Sequence, residues 1–341
     1  MLKNLDVYFS DSCNGNCLYC ILKNNPQNNN TAIVQALQDG SFARNVRKVL
    51  TTDTLSLGIW GMEPSVNGKY FNQFITGILD YDPYLRYIVI PTNGLSDSFY
   101  FDFISPLLAY CKNHKRKLIL LIQFSIDGPP EINDVHRGAG ATKKVISNMQ
   151  MIYNLFPVDN GYLRVRMSTK STLQADDLAY DPIKWWQYMN TMHMLCTNND
   201  SGKWIIDDVQ IGHTHPTVEV PGNYSAQNGR DLCKWLAIPG ETLNTLFYMD
   251  GRTCQAGEVS KTVDYQGNLY DCHLLVNKAI NIQTIRQDFE NKMNQLVLSG
   301  DAIEQDRDKL FDAIMSMYCW ATADNDMPES YIKLLGNGAL L

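Results

Sequence analysis

The chain has 341 residues, 45% of them hydrophobic, and a formal net charge of −7. That is enough to bury a large core in one enlarged α/β domain or in two domains, and it excludes a disordered chain. An acidic balance without a dense basic cluster gives no electrostatic basis for binding duplex nucleic acid, while a nucleotide or a single flipped base stays open.

Short apolar runs rich in Val, Ile and Tyr alternate with longer helical patterns, the signature of repeated βα units around a parallel sheet. The runs predict strands over Leu5–Phe9, Leu55–Trp60, Tyr87–Pro91, Leu118–Ser125, Leu163–Thr169 and Ile205–Ile211. Helical spacing fills Ala32–Leu50, Tyr70–Leu79, Phe99–Lys112, Lys143–Phe156 and Pro182–Met194, the last opened by Asp181 as cap with Pro182 at the first helical position. Strands and helices in this order fit either an open doubly wound sheet or a partial barrel, and in both the chemistry belongs at the carboxyl ends of the strands. The chain starts directly in a strand-like run with no signal-peptide core, and no apolar stretch reaches the roughly 18 residues a membrane span needs. Both features predict a cytoplasmic protein whose thiols stay reduced.

The loop after the first strand holds Cys13, Cys17 and Cys20, with three and then two residues between them. Three thiolates on a short loop can hold three irons of a cubane [4Fe-4S] cluster and leave the fourth iron open to a small molecule. A zinc knuckle would need a fourth ligand, and no Cys or His stands close by to supply it. A disulfide framework suits neither this length nor an odd total of nine cysteines.

Further motifs follow successive strands: Gly61-Met62-Glu63-Pro64 after the second, Thr92-Asn93-Gly94 after the third, and Ser125-Ile126-Asp127-Gly128-Pro129 after the fourth, continuing to His136-Arg137-Gly138. The cysteine spacing, the Tyr at position 19 and these motifs in this order resemble the radical S-adenosylmethionine (radical SAM) superfamily. The resemblance implies a partial (β/α)6 TIM-like barrel, a [4Fe-4S] cluster on Cys13, Cys17 and Cys20, and S-adenosylmethionine chelated to its open iron. It also implies reductive cleavage to a 5′-deoxyadenosyl radical that takes a hydrogen atom from the substrate, with a reductant such as flavodoxin or ferredoxin as partner. Cofactor contacts then fall to Tyr19, Gly61, Met62, Glu63, Thr92, Asn93, Ser125 and Asp127. Met62 stands where the family carries a second Gly, so its backbone contact requires a position that does not need positive φ. Arg164 and Arg166 share one face of the fifth strand. If that face is inward, Arg166 is a partner for the methionine carboxylate; if outward, both are solvated. His213 and His215 share a face at the end of the sixth strand and are the candidate catalytic residues, the alternative being ordinary loop histidines.

Composition shifts after His215, where Pro216 to Asn228 reads as a linker, dividing the chain into a barrel over 1–215 and a small α+β domain over 216–341. Thr262 to Cys272 reads as a β-hairpin turning at Gln266–Asn268. Gly267 and Cys272 resemble the Gly-x4-Cys of SPASM or Twitch extensions, which implies one auxiliary [4Fe-4S] cluster on Cys254, Cys272 and Cys319. Its fourth ligand is left open among Cys233, His273, an acidic side chain and the substrate. Cys111 and Cys196 fall in helical patterns and read as buried thiols. Enzymes of this kind modify peptides or protein side chains; small molecules, nucleobases and a relic that binds without catalysis are the alternatives. With the barrel starting at once, substrate recognition is expected from the C-terminal domain, a separate protein or the barrel mouth.

Overall fold

The computed structural model describes residues 2–20, 22, 29–98, 100–155, 161–173, 183–184, 187–188, 191, 208–213, 260–276, 287 and 291. Six parallel strands, β1 (Asn4–Ser10), β2 (Ser56–Gly61), β3 (Tyr87–Thr92), β4 (Leu118–Ser125), β5 (Leu163–Leu173) and β6 (Asp208–His213), advance one place at a time across the sheet. Beyond β1 the sheet continues with β7 (Ser260–Val263), parallel to β1, and β8 (Leu269–Tyr270), antiparallel to β7. The full order is β6-β5-β4-β3-β2-β1-β7-β8.

Crossovers between parallel strands are right-handed, so a one-way progression stacks every connecting helix on the same face. These helices are α1 (Asn30–Gln38), α2 (Ser41–Val49), α3 (Phe71–Leu79), α4 (Ser105–Asn113), α5 (Pro130–Arg137) and α6 (Ala141–Leu155). Their apolar stripes meet the outward residues of the strands in one core, centred on Phe9, Phe42, Phe71 and Phe74, with the Phe9 and Phe74 rings 5.2 Å apart. Strand β4 shows the resulting asymmetry. Leu118, Leu120, Ile122 and Phe124 are buried against the helices, while Ile119, Leu121, Gln123 and Ser125 on the inner face are only partly covered. The inner face is therefore the free wall of a partial barrel, the expected fold class.

The helix expected over Ala32–Leu50 is two helices. Gly40 takes φ +71 and Asp39 Oδ1 accepts the Ser41 N–H at 2.7 Å, so one helix ends and the next is capped within two residues. Helix α3 starts at Phe71, one residue after the predicted start, behind a 3₁₀ segment, Pro64–Tyr70, and the helix expected from Phe99 opens with a π turn, Tyr100–Ile104, before α4. Helix α5 forms where the sequence pattern predicts none, starting from Pro130 in its first turn. The hairpin forms as expected, its turn built on Asp264, which accepts the Gln266 and Asn268 N–H groups and the Tyr270 hydroxyl. The domain division at 215/216, most of the helix over Pro182–Met194, and Cys196 lie outside the described residues.

Candidate functional site

The cysteine loop leaves the carboxyl end of β1 and is held from two neighbouring strand ends and from helix α5. From β2, the Met62 N–H donates to Ser10 O at 2.9 Å and the Glu63 N–H to Ser12 O at 3.1 Å. The positive φ of this turn, +130, is at Gly61, where a Cβ would lie 2.2 Å from Ser10 O. Among the described residues Lys115 is the one non-glycine with positive φ, so Met62 needs no glycine. From β3, Asn93 donates its side-chain amide to Asn14 Oδ1 at 2.7 Å and stands 3.6 Å from Cys13 Sγ. From the far end of α5, Arg137 brings a guanidinium nitrogen to 3.8 Å from Cys17 Sγ, and the Leu18 N–H donates to His136 O.

Two buried carboxylates organise these contacts. Glu63 accepts the Ser65 N–H at 3.0 Å and the Thr92 hydroxyl at 2.8 Å on one oxygen, and the Asn93 N–H at 2.6 Å on the other. Burial pushes its carboxyl above the usual range, and these donors oppose the rise. Glu63 thus ties the β2 loop to the Thr92-Asn93-Gly94 turn. Asp127 accepts Arg137 Nε at 2.7 Å and Nη2 at 2.8 Å, the Thr172 N–H at 2.9 Å and the Tyr19 hydroxyl. Burial acts to raise its carboxyl, but Arg137 and the surrounding donors hold it below the ordinary value. The Tyr19 ring packs edge-on to His136 with centroids 5.7 Å apart and under the Arg137 guanidinium at 5.5 Å. Tyr19, Asp127 and Arg137 form one packed unit behind the loop.

The three loop thiols are free and half-buried. Burial pushes Cys13 up to about 11, opposed by the Gly15 N–H at 3.2 Å, while the charges of Glu63, Cys17 and Cys20 add to the rise. Cys17 is raised by burial and drawn down by Arg137. The donor set fits an iron–sulfur cluster: soft thiolates on one loop, with an N–H group, an amide and a cation beside their sulfurs, the contacts that tune such clusters. Among the described residues no three His, Cys, Asp or Glu side chains converge on one metal ion. A cubane does not need that convergence, because each thiolate takes its own iron.

Ser125 ends β4 in register with Lys170. Arg164 and Arg166 lie on the face of β5 opposite buried Val165 and Met167, and Arg166 pairs with Leu121. That is the inner face. Cys272 follows β8 beside His273, whose ring stacks on Trp60 of β2 with centroids 4.4 Å apart. Cys111 is a buried free thiol in α4. The side chain of His213, together with His215, Cys233, Cys254 and Cys319, lies outside the described residues. Arg137 stood in the motif after the fourth strand but was given no role there, and Trp60 was not singled out from the sequence, although it could have been found as the inward residue just before Gly61.

No family model and no curated protein matches the chain. Solved structures do. Native anSMEcpe with bound AdoMet, a radical SAM enzyme, superposes with TM-score 0.52 at 17% identity, over 80% of this chain and 74% of that one. The same protein with bound AdoMet and Cp18Cys peptide gives 0.50 at 17% identity over the same shares, and its polyhistidine-tagged form with AdoMet gives 0.51 at 18%. The chain has the fold of a radical SAM enzyme.

Proposed function

We propose that this protein is a radical SAM enzyme that acts on a peptide or protein side chain. The observation that carries the reading is the convergence on the Cys13/Cys17/Cys20 loop of Asn93 from β3 and Arg137 from α5. Cys13, Cys17 and Cys20 would hold a [4Fe-4S] cluster, which with S-adenosylmethionine bound would supply the one-electron chemistry for hydrogen-atom abstraction from the substrate. Around it, this chain's residues position and neutralise. Asn93 and the Gly15 N–H donate toward Cys13, and Arg137 offsets charge at Cys17. Glu63 fixes the turn whose backbone faces the cofactor, and the inner faces of β4 and β5 offer Ser125 and Arg166 to its polar groups. Peptide as the substrate class is supported by the neighbouring structures that carry Cp18Cys and Kp18Cys peptides. One auxiliary cluster is assigned to Cys272 with Cys254 and Cys319, and Cys233 is a candidate fourth ligand.

Anaerobically reconstituted protein should release 5′-deoxyadenosine when S-adenosylmethionine and dithionite are added, and Cys17→Ala should abolish it. A Cys17→Ala protein that makes the product at the wild-type rate would remove the loop as the radical site. Glu63→Ala should keep the cluster absorbance but weaken S-adenosylmethionine binding by about 1–3 kcal/mol, the cost of a lost buried hydrogen-bonding group.

A further inference from the structure

Halfway along β1, on the inner face, stands Asp6, whose carboxylate no element of the proposed cofactor site uses. Its cross-strand partners are Gly58 on β2 and Thr262 on β7. Gly58 is what makes room for it: a Cβ there would lie 2.2 Å from Asp6 Oδ1 and 2.5 Å from Trp60 Nε1. The carboxylate and the indole therefore meet over a bare backbone, and the Trp60 N–H donates to Asp6. Trp60 is held in turn by the His273 ring stacked on it. One strand away, Thr262 Oγ1 is fully buried and has no hydrogen-bond partner among the described residues. Among the described residues no Lys, Arg or His forms an ion pair with Asp6, whereas Asp127 in the same barrel is matched by Arg137.

A partly buried carboxylate without a countercharge, an indole beside it and an orphaned hydroxyl on the neighbouring strand are complementary to a desolvated cation. The carboxylate supplies charge, the hydroxyl accepts an N–H, and the indole N–H fixes the carboxylate in place. The geometry points to Asp6, Trp60 and Thr262 as a subsite on the inner wall of the barrel that receives a protonated amine of the substrate. Asp6 lies four residues before the strand end at Ser10, roughly 13 Å along β1, while Trp60 directly precedes the turn at Gly61–Glu63 assigned to the cofactor, so this subsite lies deeper in the barrel and adjoins that turn. Burial lifts the Asp6 carboxyl to about 7, with the Trp60 N–H opposing, so a bound cation would relieve a charge that the empty subsite holds at a disadvantage. The inference rests on the reading that the inner face receives substrate, and it narrows that substrate to one carrying an ammonium group.

The test uses the reconstituted holoenzyme and the probe n-butylammonium, with the isosteric neutral 1-butanol as control, followed by saturation-transfer NMR. Butylammonium should bind at least about tenfold more tightly than butanol, and Asp6→Asn should erase the difference, a factor worth about 1.4 kcal/mol. Thr262→Val, which keeps the strand's shape, should weaken the cation alone. Binding should strengthen from about pH 6 to about pH 8 as Asp6 ionises. The groups near Asp6 are Tyr8, bonded to Asp11; Lys261, on the other face of β7 and paired with Asp271; and His273, behind Trp60. The profile should flatten in Asp6→Asn and persist in Lys261→Gln. Equal binding of both probes, or a cation preference that survives Asp6→Asn, overturns the subsite. Formation of 5′-deoxyadenosine is read separately in the wild type: its absence overturns the enzymatic reading and leaves the cation result intact.

Discussion

At the scale of single residues, the carboxylates of Asp127 and Asp6 have opposite fates. Asp127 is matched by a bidentate Arg137, and removing that partner by Arg137→Ala should destabilise the fold by about 3–5 kcal/mol, because it strands a buried charge. Urea unfolding of the apoprotein measures this, and Arg137→Lys should recover only part of it, since an ammonium cannot fork to both oxygens. Among the described residues Asp6 has no such match, and its folded carboxyl near 7 lies above the unfolded value. The folded state thus holds the proton more tightly, so the contribution to stability is full at low pH and is lost as pH rises toward 7. Urea midpoints should fall between about pH 4 and pH 7 in the wild type, and Asp6→Asn should flatten that slope. The cysteines and the strand-end motifs were legible in the sequence because their information is in local spacing. The role of Glu63 as a tie between two loops was not, since its donors come from Ser65, Thr92 and Asn93, far apart along the chain. Trp60 was missed for a related reason: only the pairing of β1 with β2 across Gly58 reveals what it touches.

At the scale of elements, glycines decide where the regular structure yields. Gly40 splits a long helical pattern because its backbone turns left-handed there, a choice that the apolar spacing on either side does not report. Gly61 closes the β2 turn against the backbone of Ser10. Gly61→Ala should cost more than about 2 kcal/mol, combining a disallowed φ with a backbone clash, and thermal unfolding would show it. Gly138→Ala is the matched control: its φ is +112, but nothing lies within 4 Å of a Cβ there, so it should show the conformational penalty alone. Strand positions were readable because the buried outer face of each strand is apolar and largely β-branched or aromatic, as in Leu5, Val7 and Phe9 on β1. Helix α5 was not, because Pro129-Pro130 reads as a loop unless one sees that Pro130 occupies a first helical turn.

For the whole molecule, the parallel order of the first six strands followed from the alternation of the sequence. The docking of the hairpin on β1 did not, because nothing local tells β7 which strand it will join. If the C-terminal cysteines hold a second cluster, the wild type should reconstitute to about eight irons per chain and a Cys13/Cys17/Cys20 triple Ala variant to about four. Replacing Cys272 as well should bring the count to zero, and iron assays after anaerobic desalting decide it. The pairing of Asp6 with Thr262 has one more consequence, in time. These partners are more than 250 residues apart in the chain. A ribosome adding about 5–20 residues per second leaves the cysteine strand without its outer neighbour for roughly 10–50 s. Through that interval β1 is an open sheet edge with three reduced thiols at its tip, so iron delivery during synthesis would meet an unfinished scaffold. The nascent chain is at its most vulnerable to oxidation and to edge-on aggregation before Ser260 emerges.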